Sequence, residues 1–248
     1  SPDAIPTVWG IGGRGDTVVA RGTYHGMSWI RSAGEKGDDT FMGMSPDGTT
    51  VDGYLNTPDA LAAFQTMQDI IFVDKLSPIE GIPDMFPSGL SATQEWSTGY
   101  MSYLMGNFPD LKWGLGPLPY FKTGITHTGA WAYSISKDTE HLEESTLLLR
   151  WLVSEDTQVN RWQVYSPGYV MFAAKSVYEQ IPDLQVEPFS APYNIMFDWG
   201  QARPVTPGYT EYDAVIVQLT NDLAAGAPVE ETVASAVADI DAALAAYK

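Results

Sequence analysis

The segment that decides the fold is Thr123–Leu152, which reads TGITHTGAWAYSISKDTEHLEESTLLLRWL. It begins with a glycine-containing turn, and a short run of alternating residues, Ala130–Ser136, follows. After Lys137-Asp138-Thr139, leucines recur at the spacing of an amphipathic helix. Alternation is typical of a strand and 3.6-residue spacing of a helix. The segment therefore predicts a strand that runs directly into a helix.

Further helices are predicted on both sides of this segment. Thr57-Pro58-Asp59 combines an N-cap, a proline at the first helical position and a carboxylate near the positive helix end. The apolar stripe that follows it consists of Leu61, Phe64, Met67, Ile70 and Ile71. Asp156–Tyr165 is predicted as another helix. Two more stripes follow near the end of the chain, one over Tyr212, Val215, Ile216, Leu219 and Leu223 up to Gly226, and one that begins after Pro228.

Short apolar or alternating runs lie between these helices. They predict strands at Asp16–Ala20, Ser91–Trp96 and Trp113–Leu118, in addition to Ala130–Ser136. Strands that alternate with helices favour an α/β layer fold. The segment Gly34–Gly53 is rich in Gly and Asp and predicts a surface loop with a small hairpin; it lacks the ligand spacing of a calcium loop.

The composition indicates a globular protein and excludes several function classes. Of the 248 residues, 44% are hydrophobic and 12% aromatic, enough to build a core. The net charge of -18 repels polyphosphate, so nucleic acid is not expected as a partner. The chain has no Cys, which excludes disulfides and cysteine nucleophiles. The first residues lack the pattern of a signal peptide, so an export signal would lie outside this chain.

Four further segments occur in an order that resembles a known family. They are Phe86–Tyr103 (FPSGLSATQEWSTGYMSY), Leu111–Pro119 (LKWGLGPLP), Ala202–Tyr212 (ARPVTPGYTEY) and the final GAPVEETVASAVADIDAALAAY. With Thr123–Leu152 they resemble the later two thirds of an extracellular solute-binding protein that serves an ABC importer, in the sugar-binding, maltose-binding-like family. The resemblance runs from about Trp9 to the C-terminus, and its order of segments, not any single motif, carries it.

The resemblance implies an α/β, periplasmic-binding-protein-like (type II) fold with two lobes. Residues 1–128 would form the first part of the second lobe, 129–178 would return to the first lobe, and 179–248 would supply the C-terminal helices of the second lobe. The first part of the first lobe has no counterpart here. The apolar helix faces within 129–178 would then need a partner, either the missing lobe as another segment or chain, or self-association.

The resemblance also implies a function without catalysis. Such a protein captures a sugar between its lobes and delivers it to the membrane subunits of an ABC importer, and no cofactor is expected. Its location would be periplasmic or extracellular, with membrane anchoring through a lipid on an N-terminal part outside this chain as an additional expectation.

The candidate binding residues are mainly aromatic, because a sugar ring presents an apolar face for stacking and hydroxyls around its rim. The resemblance places Tyr24, Trp96, Tyr209 and Tyr212 at the ligand, with Glu95 and Arg14 as polar contributors and Trp131 facing either the cleft or the hinge. Core packing is the alternative for each aromatic residue, since aromatics dominate cores as well as sites.

Other chemistries find less support in the residues. A glycoside hydrolase needs two carboxylates, and 31 acidic residues would supply such a pair by chance. The GxSxG elbow of a serine hydrolase is absent, and His25, His127 and His141 lack the spacing of zinc ligands. The glycines of Gly10–Gly15 lack the Lys-Ser/Thr ending of a phosphate loop. An adhesion module stays as a further alternative.

Overall fold

The computed structural model of the chain describes residues 8–12, 22–79, 81–129, 132–165 and 171–247. Within them the secondary structure is mostly helical. The elements are β1 (Trp9–Gly12), α1 (Gly22–Ser32), α2 (Asp39–Met42), α3 (Pro58–Phe72), β2 (Ser91–Gln94), α4 (Gly99–Asn107), β3 (Thr126–Thr128), α5 (Leu142–Leu152), α6 (Glu155–Tyr165), α7 (Lys175–Gln180), α8 (Ser190–Trp199), β4 (Gly200–Ala202), α9 (Tyr209–Ala224) and α10 (Val229–Leu244). Short 3-10 helices occupy Pro182–Gln185 and Ala245–Tyr247.

The chain divides into two compact units. Unit 1 consists of Ser1–Trp96, Pro117–Thr128 and Trp199–Lys248, and unit 2 consists of Ser97–Gly116 and Gly129–Asp198. One boundary between the units follows residue 128. Two segments, 97–116 and 179–198, belong to unit 2, whereas the sequence-based division had put them with the second lobe. The assignment of the units to particular lobes stays a prediction.

Helices form the core of unit 1. The Thr57 side chain accepts a hydrogen bond from the Ala60 amide, which begins α3 as predicted. Phe64 and Met67 of this helix are buried against α9 and α10. Tyr212 and Ile216 from α9 and Val233 and Ile240 from α10 are fully buried in the same cluster. These apolar stripes meet because each helix presents one face to the others.

The predicted helices α3, α5, α6, α9 and α10 are confirmed, but two predicted strands are wrong. The region Trp113–Leu118 is irregular, as is 132–136, the described part of Ala130–Ser136. Pro117 and Pro119 flank the end of the first region and cannot donate to a strand ladder. The predicted strand Ser91–Trp96 is present as the shorter β2, and the predicted strand Asp16–Ala20 lies outside the described residues.

The four strands form two parallel pairs. In one pair β1 lies beside β2, with Trp9 opposite Ser91. In the other β3 lies beside β4, with Thr126 opposite Gly200. All four strands belong to unit 1. The longer segment of unit 2, Gly129–Asp198, begins just after β3 and ends just before β4. This second pair therefore fixes both ends of the inserted segment.

The core of unit 2 is smaller and rich in aromatic residues. Trp162, Phe172 and Tyr178 are buried there with Val177, and their rings meet edge to face. In contrast, α5 contains no buried residue. Leu149 and Leu152 of this helix are half-buried, whereas five apolar side chains in and just after it are 47–63% exposed, namely Leu142, Leu147, Leu148, Trp151 and Val153. An amphipathic helix with an exposed apolar face lacks the packing that normally stabilises it.

The acidic loop before α3 uses its carboxylates locally. Asp38 caps α2 by accepting from the Phe41 amide at 2.8 Å, and Asp47 accepts from the Ser45 and Thr49 hydroxyls. These bonds hold the pKa of Asp47 below its ordinary value. Apart from α2, the segment consists of turns and irregular structure and lacks the predicted hairpin strands. Across the described part of the chain, no helix has the length and apolar character needed to span a membrane.

Candidate functional site

Three side chains of unit 1 form a compact aromatic and cationic group, termed here the Arg203 cluster: Tyr24, Arg203 and Tyr209. The Arg203 guanidinium lies 5.0 Å from the centre of the Tyr24 ring and 5.1 Å from that of Tyr209. Its Nη1 also donates to the Tyr209 hydroxyl at 2.7 Å. Tyr24 is 37% exposed, and the other two side chains are half-buried. One exposed tyrosine, one half-buried tyrosine and one half-buried guanidinium thus lie together.

Glycines allow the elements of this cluster to approach one another. Gly22 begins α1 with a φ of +56°, and a Cβ there would lie only 2.6 Å from the Val217 side chain on α9. Gly208 precedes α9, and a Cβ there would lie 2.7 Å from Leu244. Glycine at position 22 therefore suits both the positive φ and the close packing of α1 on α9, and Gly208 lets the start of α9 lie close to α10.

A chain of hydrogen bonds connects the cluster to the protein interior. The Thr23 hydroxyl lies 2.7 Å from the Tyr209 hydroxyl and donates to the Asp213 carboxylate. The chain therefore runs from Arg203 through Tyr209 and Thr23 to Asp213, and it joins α1, the segment after β4 and α9. Charged groups at both ends polarise the hydroxyls between them.

Beneath the cluster, Arg31 and His127 form a buried pair. Arg31 is only 4% exposed and His127 only 8%. Arg31 donates from Nε to the Phe41 carbonyl at 2.6 Å and from Nη1 to the Ala202 carbonyl at 2.8 Å. Its Nη1 is also 3.0 Å from His127 Nε2. One arginine thus ties α1 to α2 and to both β3 and β4.

The partners of His127 determine its tautomer. Arg31 can only donate, so Nε2 of the imidazole must accept. Nδ1 lies 2.8 Å from the Thr23 carbonyl, which can only accept, so Nδ1 carries the proton. Burial, followed by the positive charge of Arg31, lowers the pKa of His127 to about 3. The imidazole is therefore neutral at physiological pH and fixes Thr23 at the start of α1.

The structure brings together some of the residues that the sequence proposed. Tyr24 and Tyr209, from distant parts of the chain, share Arg203. Glu95 and Trp96 follow β2; Glu95 is 9% exposed and Trp96 is half-buried, and both engage in polar or ring interactions. Their role at a ligand stays a prediction. Arg14 and Trp131 lie outside the described residues.

Tyr212 requires a correction. It was predicted to contact ligand, but its side chain is 0% exposed and belongs to the core of unit 1. Its ring packs 6.0 Å from that of Tyr209, so it supports the cluster from below. A ring with no accessible surface cannot stack on a sugar in this conformation. Burial also raises the pKa of Tyr212, which keeps the phenol neutral.

Sequence reasoning did not select Arg203, Thr23 or Asp213 as site residues. Arg203 belongs to the segment ARPVTPGYTEY that carried part of the resemblance, six positions before Tyr209. Its flanking Pro204 and Pro207 were a signal for a rigid segment that could present a side chain. Thr23 and Asp213 carried no comparable signal, because their roles depend on the packing of α1 against α9.

Metal binding finds no support within the described ranges, where no group of three or more histidine and carboxylate side chains could hold an ion. Both ring nitrogens of His127 already have partners, and His141 is exposed just before α5.

Several solved structures resemble the chain over nearly its whole length. An ABC transporter solute-binding protein from Thermotoga lettingae, bound with α-D-tagatose, matches with a TM-score of 0.79 and 18% identity over 96% of this chain and 60% of its own. The maltose/maltodextrin-binding domain from Bdellovibrio bacteriovorus, bound to maltotriose, matches with a TM-score of 0.72 and 18% identity over 99% of this chain and 61% of its own. The Thermus thermophilus maltotriose binding protein matches with a TM-score of 0.69 and 15% identity over 97% and 63%.

These likenesses confirm the predicted fold class. The chain has the periplasmic-binding-protein-like (type II) fold, and its structural neighbours are sugar-binding proteins of ABC transporters. It spans about 60% of the length of those neighbours. No protein-family model and no curated protein sequence matches the chain. The likeness is thus one of fold, and function has to be argued from the site.

Proposed function

We propose that this chain is part of a carbohydrate-binding protein of an ABC importer, and that it contacts the sugar through the Arg203 cluster. The observation that carries the proposal is the grouping of the exposed Tyr24 and the half-buried Tyr209 around one guanidinium. The fold of the sugar-bound neighbours supports the same function.

The chemistry of the cluster suits a sugar. The apolar C–H face of a pyranose stacks on a tyrosine ring, while the hydroxyls at its rim need hydrogen-bond partners in the same plane. Arg203 has five N–H groups and uses one of them on Tyr209. The remaining donors can bind ring or hydroxyl oxygens beside a stacked ring. Glu95, Trp96, Arg14 and Trp131 are proposed as further contributors.

The proposed mechanism is binding without bond cleavage. In the whole protein, a sugar held by two lobes would favour a closed form, and the importer's membrane subunits would recognise that form. The missing two fifths of the neighbours' length would supply the remainder of the first lobe, from another segment or chain. A periplasmic or extracellular location, with or without a lipid anchor, follows from this role.

Calorimetric titration with tagatose, maltose and maltotriose tests the proposal. We expect Tyr24→Ala to weaken binding of the preferred sugar by about 1–3 kcal/mol, or roughly five- to more than a hundredfold, as for truncation of an aromatic anchor. Tyr133→Ala is the matched control, because Tyr133 is an exposed tyrosine, 51% accessible, from unit 2.

Two results would contradict the proposal. One is equal loss of affinity in the two variants, which would place the sugar away from the Arg203 cluster. The other is sustained cleavage of oligosaccharides or chromogenic glycosides, abolished by one carboxylate substitution, which would identify a glycoside hydrolase instead.

A further inference from the structure

Thr23 lies next to the Arg203 cluster, which we propose to contact the ligand, but Thr23 itself is not accessible. Its side chain is 0% exposed, whereas its neighbour Tyr24 is 37% exposed. The Thr23 hydroxyl nevertheless contacts Tyr209, a member of the Arg203 cluster. Any influence of Thr23 on a ligand must therefore pass through another residue.

The direction of each hydrogen bond in the chain is fixed by the groups at its two ends. Arg203 has only donors, so the Tyr209 oxygen accepts from it. The Asp213 carboxylate has only acceptors, so Thr23 donates its single proton to Asp213. The Thr23 oxygen must then accept from Tyr209, whose own proton is thereby occupied.

Thr23 is held in place independently of this chain. His127 donates from Nδ1 to the Thr23 carbonyl at 2.8 Å, and Arg31 fixes the other side of the imidazole. Gly22, immediately before it, permits the close approach to α9 that brings Asp213 within reach. The backbone of Thr23 is thus constrained by the buried His127, and its side chain by the half-buried Tyr209 and Asp213.

We propose that Thr23 is a positioning and specificity-determining residue: it holds the Tyr209 proton, so that Tyr209 meets the ligand as a hydrogen-bond acceptor. The group that binds to Tyr209 must then be a donor, such as a sugar hydroxyl. A methylated oxygen or a ring oxygen at that place would leave the Tyr209 oxygen facing another acceptor. This selectivity rests on the proposed function, but the direction of the hydrogen bonds does not.

The first test needs no sugar. With the tyrosine Cζ atoms labelled with ¹³C, Thr23→Val should shift the Tyr209 signal, because valine keeps the shape of threonine but cannot accept the proton. Thr23→Ser keeps the hydroxyl and should leave that signal near its wild-type position. An unchanged Tyr209 signal in Thr23→Val would overturn the proposal whatever the protein binds.

The second test measures selectivity for the sugar that the wild-type chain prefers among tagatose, maltose and maltotriose. The wild type should bind one of its mono-O-methyl ethers at least about tenfold more weakly than the parent sugar, as expected for a site left with an unpaired polar group. Thr23→Val should reduce that ratio to about threefold or less, because the released Tyr209 proton can then donate to the methylated oxygen. Thr23→Ser should retain the wild-type ratio.

The outcomes of the two tests distinguish the proposed function from the proposed role of Thr23. Failure of the wild type to bind any of the sugars would contradict the proposed function and leave the first test to decide the role of Thr23. Binding with an unchanged selectivity ratio in Thr23→Val would contradict only the specificity role. If Thr23→Val does not fold, Asp213→Asn and Asp213→Ala replace it, since the asparagine oxygen still accepts from Thr23 and alanine does not.

Discussion

At the residue scale, Tyr212 shows that a polar atom can be buried in a hydrophobic core. Its ring is fully buried among the helices of unit 1, and within the described residues its hydroxyl has no hydrogen-bond partner. An unsatisfied buried hydroxyl costs free energy relative to the same ring without it. The ring stabilises the protein, and the hydroxyl offsets part of that gain.

We therefore expect Tyr212→Phe to leave the free energy of unfolding unchanged within about 1 kcal/mol or to raise it. Tyr212→Ala should lower it by about 3–5 kcal/mol, because it removes the buried ring and leaves a cavity. Urea unfolding of both variants measures these changes. A large loss of stability in Tyr212→Phe would mean that the hydroxyl has a partner after all.

The buried imidazole of His127 predicts sensitivity to acid. Its pKa is about 3 in the folded protein and near 6.5 when exposed. As the pH falls, the unfolded chain takes up this proton first, so the contribution to stability is complete above about pH 6.5 and is lost progressively down to about pH 3. The slope approaches 1.4 kcal/mol per pH unit at most.

His127→Asn should make the stability of the protein less dependent on pH across this window. The asparagine amide can still donate to the Thr23 carbonyl but takes up no proton. His141→Asn is the control, because it makes the same substitution at an exposed histidine. Chemical unfolding at several pH values between about 3 and 7 measures the slopes, and equal slopes for the wild type and His127→Asn would rule out this origin of acid sensitivity.

The sequence predicts a residue's role when that role depends on neighbouring positions, and it does not when the role depends on the packing of distant segments. Tyr212 belonged to the apolar stripe of α9, and that periodicity predicted its burial correctly, whereas the family resemblance suggested ligand contact. Tyr24 and Tyr209 were selected, but their meeting at Arg203 depends on the packing of distant segments. The partners of Thr23 could not be predicted from the sequence for the same reason.

At the element scale, the helices that the sequence predicted have local signals. The cap of α3 and the stops around α9 and α10 act within a few residues, so they are visible in the sequence. The helices α1, α4 and α8 were not predicted. Glycine begins α1 and α4, and proline lies in the first turn of α8, which made these segments resemble loops.

The exposed apolar face of α5 should contribute little to the stability of this chain by itself. We expect Leu148→Gln and Trp151→Gln to change the free energy of unfolding by no more than about 0.5 kcal/mol, since exposed side chains lose no packing. Phe64→Ala, in the core of unit 1, should cost about 3–5 kcal/mol and serves as the contrast. Amide exchange should also be faster in α5 than in α3.

Unfolding measurements at two protein concentrations, with sedimentation, check this prediction. A loss of more than about 2 kcal/mol in Leu148→Gln would show that the face is covered, and dependence on concentration would identify self-association as the cover.

At the scale of the whole molecule, the order of weak sequence motifs predicted the fold class, although no single motif did. The type II fold is confirmed by the structural neighbours, which share only 15–18% identity with this chain in the three cases compared. The division into lobes stays a prediction, and the compact units of the structure group 97–116 and 179–198 with 129–178 through contacts between distant segments. The neighbours are longer, since this chain spans about 60% of the length of the first of them.

The connectivity of the strands affects the order in which strands and helices form during folding. Both strand pairs are parallel, and each joins residues more than seventy positions apart. Closing such loops costs entropy before any strand contact repays it, whereas each helix closes its bonds within a few residues. In pulse-labelled hydrogen exchange during refolding, we therefore expect protection to arise in α3 and α9 before it arises in β2 and β4; simultaneous protection would oppose this order. During synthesis on a ribosome, β3 can pair with β4 only after the entire intervening segment has been synthesised.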